Sequence, residues 1–153
     1  MREIKFRAVI KATKEVFPVI TIWSNSVCLD LSESNKYEYP EKVFLMDEIE
    51  LLQYTGLHDK NGIEVFEDDI VQTVTMTVIV KFGEFTPVVL KEWCEEQGVT
   101  EDVKMVGFYC EGIKSKIDSQ VKGKEFFLPS HSPCSFTVIS NIHDNPELMK
   151  ESD

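Results

Sequence analysis

His131 and Cys134 are spaced as H-x-x-C, a close pair of the kind that supplies two ligands of a structural zinc site, with Cys28 or Cys110 available to join them in space. Such sites usually carry two close pairs, and the chain has no C-x-x-C. A surface loop with a buried thiol is the preferred reading. Glu64, Glu67, Asp68 and Asp69 offer carboxylates for magnesium or for general acid work. Short acids also bond their own backbone and make tight turns, and a solvated turn leading into a strand is preferred here. Cys94 beside Trp93, and Cys110 after Tyr109, are candidate nucleophiles, but no activating His and carboxylate stand near them in sequence. Lys122-Gly123-Lys124 is not a phosphate loop, since it lacks the glycine spacing and the preceding apolar strand. Trp23, Tyr37 and Tyr39 could stack bases. A stacking platform needs basic neighbours, and Lys36 and Lys42 are opposed by Glu33, Glu38 and Glu41. The residues thus name no catalytic, cofactor-binding or metal site, and the expectation is a protein that is not an enzyme.

Charge narrows the partners. The 153 residues carry a formal net charge of -11. A nucleic-acid backbone is bound through Lys and Arg that release its counterions, so this balance favours protein partners. A local basic face from Lys114, Lys116, Lys122 and Lys124 would be the exception. With 42% hydrophobic and 28% charged residues, the chain is globular and long enough for a sizeable core. No apolar run is long enough to span a membrane, and the charged start does not resemble a signal peptide. The expected compartment is the cytoplasm, where Cys28, Cys94, Cys110 and Cys134 would remain buried free thiols.

The elements that must position these groups are mostly strands. Ile4, Phe6 and Ala8 alternate with Lys5, Arg7 and Val9. Val16 to Trp23 is apolar and β-branched, with Pro18 arguing for an edge or a strand start. Val27 to Leu31 continues a meander, Ser32 to Glu41 is a loop, and Val43 to Leu52 fits a strand or a short helical turn. Asn61-Gly62 predicts a type I′ hairpin, followed by a short strand and the acidic corner. The β-branched run Val71 to Phe82 predicts one long strand, ended by a turn at Gly83. Pro87, the spacing of Val88 to Gln97, and Gly98 predict a helix. Strands follow at Val103 to Cys110, Phe126 to Leu128 and Phe136 to Ile139, with a last helical turn at Pro146 to Met149.

The stretch Leu51 to Val71, LLQYTGLHDKNGIEVFEDDIV, resembles the signature segment of the YopX-like family of phage and prophage proteins. REIKFRA at Arg2 to Ala8 resembles the family's opening, and FTVISNIHDNPELM at Phe136 to Met149 its close. Val9-Ile10 departs from the aromatic-acid pair usual after the opening, and Thr86 to Gln120 does not align. The resemblance implies a small β-rich protein with an SH3-like barrel in its C-terminal part, a strand rather than a helical turn at Val43 to Leu52, and no known enzymatic activity. It also implies the cytoplasm of a bacterial host.

The expected fold is therefore mainly β. Residues 1–53 would form an N-terminal antiparallel β subdomain. Residues 54–153 would form an SH3-like barrel with a variable insert at about 86–120 and at most one or two short helices. The expected role is that of a non-enzymatic accessory protein acting by protein–protein contact with a host or phage partner, and by self-association into a homo-oligomer. The edge of Val16 to Trp23 would be the contact, unless the helix around Trp93 covers it. The alternative is a nucleic-acid-binding module using a face of the small barrel.

Overall fold

The computed structural model describes residues 3–101, 103–128 and 136–150. Among these residues, eleven strands, one α-helix and two 3-10 turns follow one another. β1 (Phe6–Ile10), β2 (Val16–Ile22), β3 (Ser26–Asp30) and β4 (Glu41–Leu45) form a meander. A 3-10 turn, Met46–Glu48, leads into β5 (Ile49–His58), β6 (Glu64–Phe66) and β7 (Asp69–Gln72). The rest is β8 (Met76–Phe85), α1 (Val88–Glu96), β9 (Met105–Ser115), β10 (Glu125–Phe127), β11 (Thr137–Asn141) and a 3-10 turn at Pro146–Met149. No helix among the described residues is long and apolar enough to cross a membrane.

The fold is mainly β, in two antiparallel sheets. One has six strands in the order β4-β3-β2-β1-β5-β6, and the other five in the order β10-β9-β8-β7-β11. The five-stranded sheet occupies the place of the expected SH3-like barrel, and it is not a closed barrel. Its end strands β10 and β11 do not pair. The free side of β11 is bonded instead by the β5–β6 hairpin. The Val138 N–H donates to Asp59 Oδ2 at 3.0 Å, and the Lys60 N–H donates to the Phe136 carbonyl at 3.2 Å. The six-stranded sheet takes in strands on both sides of residue 53. The segment 86–120, unaligned in sequence, supplies α1 and β9, and β9 is an interior strand flanked by β8 and β10.

Each sheet has its own core. Ala8, Ile10, Phe17, Val27, Leu29 and Phe44 are packed together in the first. Val71, Val78, Val80 and Cys110 form the main core of the second, where Val65 of β6 and Phe136 join them. The alternation expected in β1 is only half kept. Ala8 and Ile10 join the first core, but Val9 is also 1% exposed, and Ile4 is 74% exposed and outside the strand.

Four local expectations are corrected. The hairpin at Asn61-Gly62 is not type I′, because Gly62 (φ +79°) has positive φ and Asn61 does not. The Gly62 N–H donates to the Asp59 carbonyl at 3.0 Å, and the Asp59 N–H donates to the Ile63 carbonyl at 2.8 Å. This is a type I turn closed by a left-handed glycine. The Asp59 carboxylate selects it, since Oδ1 accepts the N–H groups of Asn61 at 2.8 Å and Ile63 at 2.9 Å. The run Val71 to Phe82 is not one strand. The Thr73 hydroxyl accepts the Met76 N–H at 3.1 Å, which folds the chain into the β7–β8 hairpin in spite of its β-branched residues. The turn expected at Gly83 does not form, because Gly83 stands opposite Gly107 inside a long β8–β9 ladder. Val43 to Leu52 is strand at both ends, broken where Glu48 Oε2 accepts the Leu45 N–H at 2.8 Å. The helix and its Gly98 terminus (φ +68°) are as expected.

Pro18 lies within β2, at a changeover of partners. Val16 to Pro18 pair with β1, and Val19 to Ile22 pair with β3. The run therefore lies between two neighbours rather than at an edge of the sheet, and its missing amide falls in the part bonded to β1 alone. Helix α1 is packed near β10, so it is not the cover expected for β2.

Candidate functional site

Thr55, Asp59, Glu67 and Asp69, in the segment from Gln53 to Asp69, bond backbone with their side chains. Gly56, at φ +87°, lies where the β5–β6 register breaks. Beside it the Thr55 hydroxyl donates to the Val65 carbonyl at 2.8 Å and accepts the Leu57 N–H at 3.1 Å. Asp59 holds the hairpin and β11 together. Burial pushes its carboxyl up, but the N–H groups of Ile63, Val138 and Asn61 outweigh burial and hold it below the usual range.

Glu64, Glu67, Asp68 and Asp69 have four separate tasks. Glu64 pairs with Lys5. Glu67 Oε2 accepts the Gln53 N–H at 2.7 Å, and burial pushes that carboxyl up. Asp68 sits at φ +64°, with Oδ2 2.7 Å from His143 Nε2. Asp69 Oδ2 accepts the Phe66 N–H at 2.8 Å. Arg7 reaches within 3.9 Å of its Oδ1 while stacking 4.0 Å from the Phe66 ring. Burial outweighs these partners, and the Asp69 carboxyl is pushed up to about 6. Among the described residues, no three metal-ligating side chains gather in a way that could hold an ion. His131 and Cys134 lie outside the described residues.

The cysteine candidates are buried as well. Cys28, Cys94 and Cys110 are buried free thiols. Burial alone raises the Cys110 thiol to about 12, which leaves it protonated and unreactive. Tyr37 is half-buried, edge-on to Phe17, with its hydroxyl 3.1 Å from Glu15 Oε2. Tyr39 and Trp23 are exposed.

Two surface features remain. The first is basic. Lys122 and Lys124 line a depression of about 400 Å3 with Lys91 of α1, while Lys114 and Lys116 line another at the β7–β8 turn. The four lysines expected as one face are thus divided, and Lys91 joins two of them. Sequence reasoning missed Lys91, because only the fold brings α1 beside the β9–β10 connection. The second is apolar. Trp23, Val43 and Leu45, on one face at the far end of β2, β3 and β4, are between 48% and 54% exposed, and Ile22, opposite Val27 on the other face, is 41% exposed.

The chain matches the family model described as YopX protein over residues 5–150. No curated protein matches it. Among solved structures it is similar to the crystal structure of protein EF1440 from Enterococcus faecalis. The identity is 17%, over 97% of this chain and 99% of that one, with a TM-score of 0.48.

Proposed function

The chain belongs to the YopX family, and from that premise we propose that it acts without catalysis, as a phage or prophage accessory protein of the bacterial cytoplasm working by protein–protein contact and self-association. The apolar end of β2, β3 and β4 carries this reading. From Val16 to Leu29 the sequence has no charged residue, in a chain that is 28% charged. The Trp23 N–H donates to the Ser26 carbonyl at 2.8 Å, and Ser26 stands opposite Leu45. Trp23, Ser26 and Leu45 therefore form one cross-strand row, and Thr21, Cys28 and Val43 form the next row on the same face. A partner that binds by charge finds nothing to pair with in these rows. A second copy presents the same rows, and two such faces cover each other without stripping water from an ion. Contiguous exposed apolar surface of this kind marks contact sites.

Light scattering should give a mass that is a multiple of 17.6 kDa. Trp23→Lys and Leu45→Lys should reduce it to that of one chain while keeping the parent circular dichroism. A parent of single-chain mass at its highest soluble concentration rules out self-association. The alternative, a nucleic-acid module, would rest on Lys114, Lys116, Lys122 and Lys124, and these lie in two separate depressions rather than along one track for a phosphate backbone.

A further inference from the structure

We propose that the outer face of α1 docks a basic amphipathic helix of a partner protein. The inference rests on the reading that this chain works by protein–protein contact, and it concerns a surface separate from that of self-association. Within α1, Cys94 alone is buried. Val89 and Trp93, four residues apart, share a helix face and are 57% and 52% exposed. The end of the helix extends that row. The Gly98 N–H donates to the Glu95 carbonyl at 3.2 Å, and the Val99 N–H donates to the Cys94 carbonyl at 2.9 Å. A closure of this kind brings the residue after the glycine back against the last turn. Val99, 43% exposed, therefore continues the row past Trp93. Single exposed apolar side chains are ordinary, but a contiguous row rimmed by polar groups marks a contact. Tryptophan is enriched among the residues that dominate the energy of such contacts.

Charge selects the occupant. Glu92 follows Val89 by three residues and Glu96 follows Trp93 by three, so a row of carboxylates runs beside the apolar row. Glu92, Glu95 and Glu96 are exposed, and their side chains have no ion pair or hydrogen bond among the described residues. Lys91, the one cation of the helix, lies toward the other flank, where it lines the depression with Lys122 and Lys124. A second copy of this face would set carboxylates against carboxylates, and like charges brought together in an interface are costly. The rows of Trp23, Leu45 and Val43 hold no cation to meet them. A phosphate backbone is repelled by the same carboxylates. What fits is a helix with its own apolar row at i, i+4 spacing and lysine or arginine beside it, as when paired helices match their apolar seams and flanking charges.

Two synthetic peptides of about 14 residues test the face, both with leucine at helical spacing, one with lysine and one with glutamate elsewhere. Each is titrated into the full chain and followed by amide NMR. The leucine–lysine peptide should bind with a dissociation constant of about 0.1 mM or tighter, shifting the amides of Val89, Trp93, Glu96 and Val99. The leucine–glutamate peptide should not bind. Trp93→Ala should weaken binding about tenfold or more. Glu92→Lys with Glu96→Lys should transfer binding to the leucine–glutamate peptide. Glu33→Lys with Glu38→Lys makes the same change of net charge at exposed positions outside α1, and should alter binding less than about twofold. The proposal fails if neither peptide binds at about 1 mM, or if the Trp93 variant or the Glu92 and Glu96 variant binds as the parent does. It fails if the Glu33 and Glu38 variant loses as much, which would reduce the contact to net charge. Shifts at Trp23 and Leu45 instead would move the site to the self-association surface, and broadening at Trp93 with protein concentration alone would give the face to a second copy. Either result overturns the proposal. None of these failures alters the mass read by light scattering, which tests self-association separately.

Discussion

Asp59 and Asp69 share the signature segment and are 6% and 2% exposed, yet their carboxyls shift in opposite directions. Asp59 has three backbone N–H donors within hydrogen-bond distance. Its carboxyl is held below the usual range, so its contribution to stability is present above the unfolded value near 4 and is lost as pH falls. Asp69 has one close donor and a distant guanidinium. Its carboxyl is raised from 3.8 to about 6. The sign reverses: its contribution is fully present below the unfolded value of 3.8 and is lost as pH rises through about 6. Asp69→Asn keeps an oxygen to accept the Phe66 N–H and removes the buried charge. Urea unfolding at pH 7 should find it more stable than the parent by about 1–2 kcal/mol. That gain should vanish near pH 4. A variant less stable than the parent at pH 7 would show that the Arg7 contact outweighs burial.

At the scale of elements, β1, β2, β3 and α1 were legible because local pattern and tertiary demand agree there. Pro87 and Gly98 bracket α1, and apolar β-branched runs bracket the meander. What was not legible turned on single side chains bonding backbone. Thr73 makes a hairpin out of a run whose propensity says strand, and Asp59 converts the hairpin at Asn61-Gly62 to another turn type. The open second sheet was hidden for a similar reason, since it depends on Asp59 meeting β11 across 79 residues of sequence. The lysine hollow was out of reach, because α1 and the β9–β10 connection meet only in the fold. Hydrogen-bond alternation also makes a sharp prediction at β4. The bonds from Leu31 to the Pro40 carbonyl and from Met46 to the Asn25 carbonyl set the phase of the β3–β4 ladder. The amide of Lys42 therefore points to β3, and those of Val43 and Leu45 point to the open side, where Glu48 takes the second. Both Lys42 and Val43 have exposed side chains. Lys42→Pro should destabilise by about 3 kcal/mol, and Val43→Pro by much less, since proline is tolerated where an edge amide faces solvent. Equal losses in a denaturant melt would refute this phase.

For the whole molecule, net charge and apolar surface oppose each other. Each copy carries -11, so two copies repel over a Debye length of about 10 Å at 0.1 M salt. The surface offered for self-association, around Trp23, Val43 and Leu45, has no ion pair among those residues to compensate. Salt should therefore strengthen the assembly. It screens the repulsion and leaves apolar burial intact, and sulfate should do more than chloride because it also raises the penalty on exposed apolar surface. An interface held by surface ion pairs has the opposite dependence, since salt screens those pairs as well. Light scattering of the parent at about 50 mM and about 500 mM sodium chloride separates the two, because the Debye length falls to roughly 4 Å at the higher value. The expected outcome is a larger average mass at high salt. Dissociation at high salt would assign the contact to the charged surface, and would leave the apolar rows of Trp23, Leu45 and Val43 for a different partner.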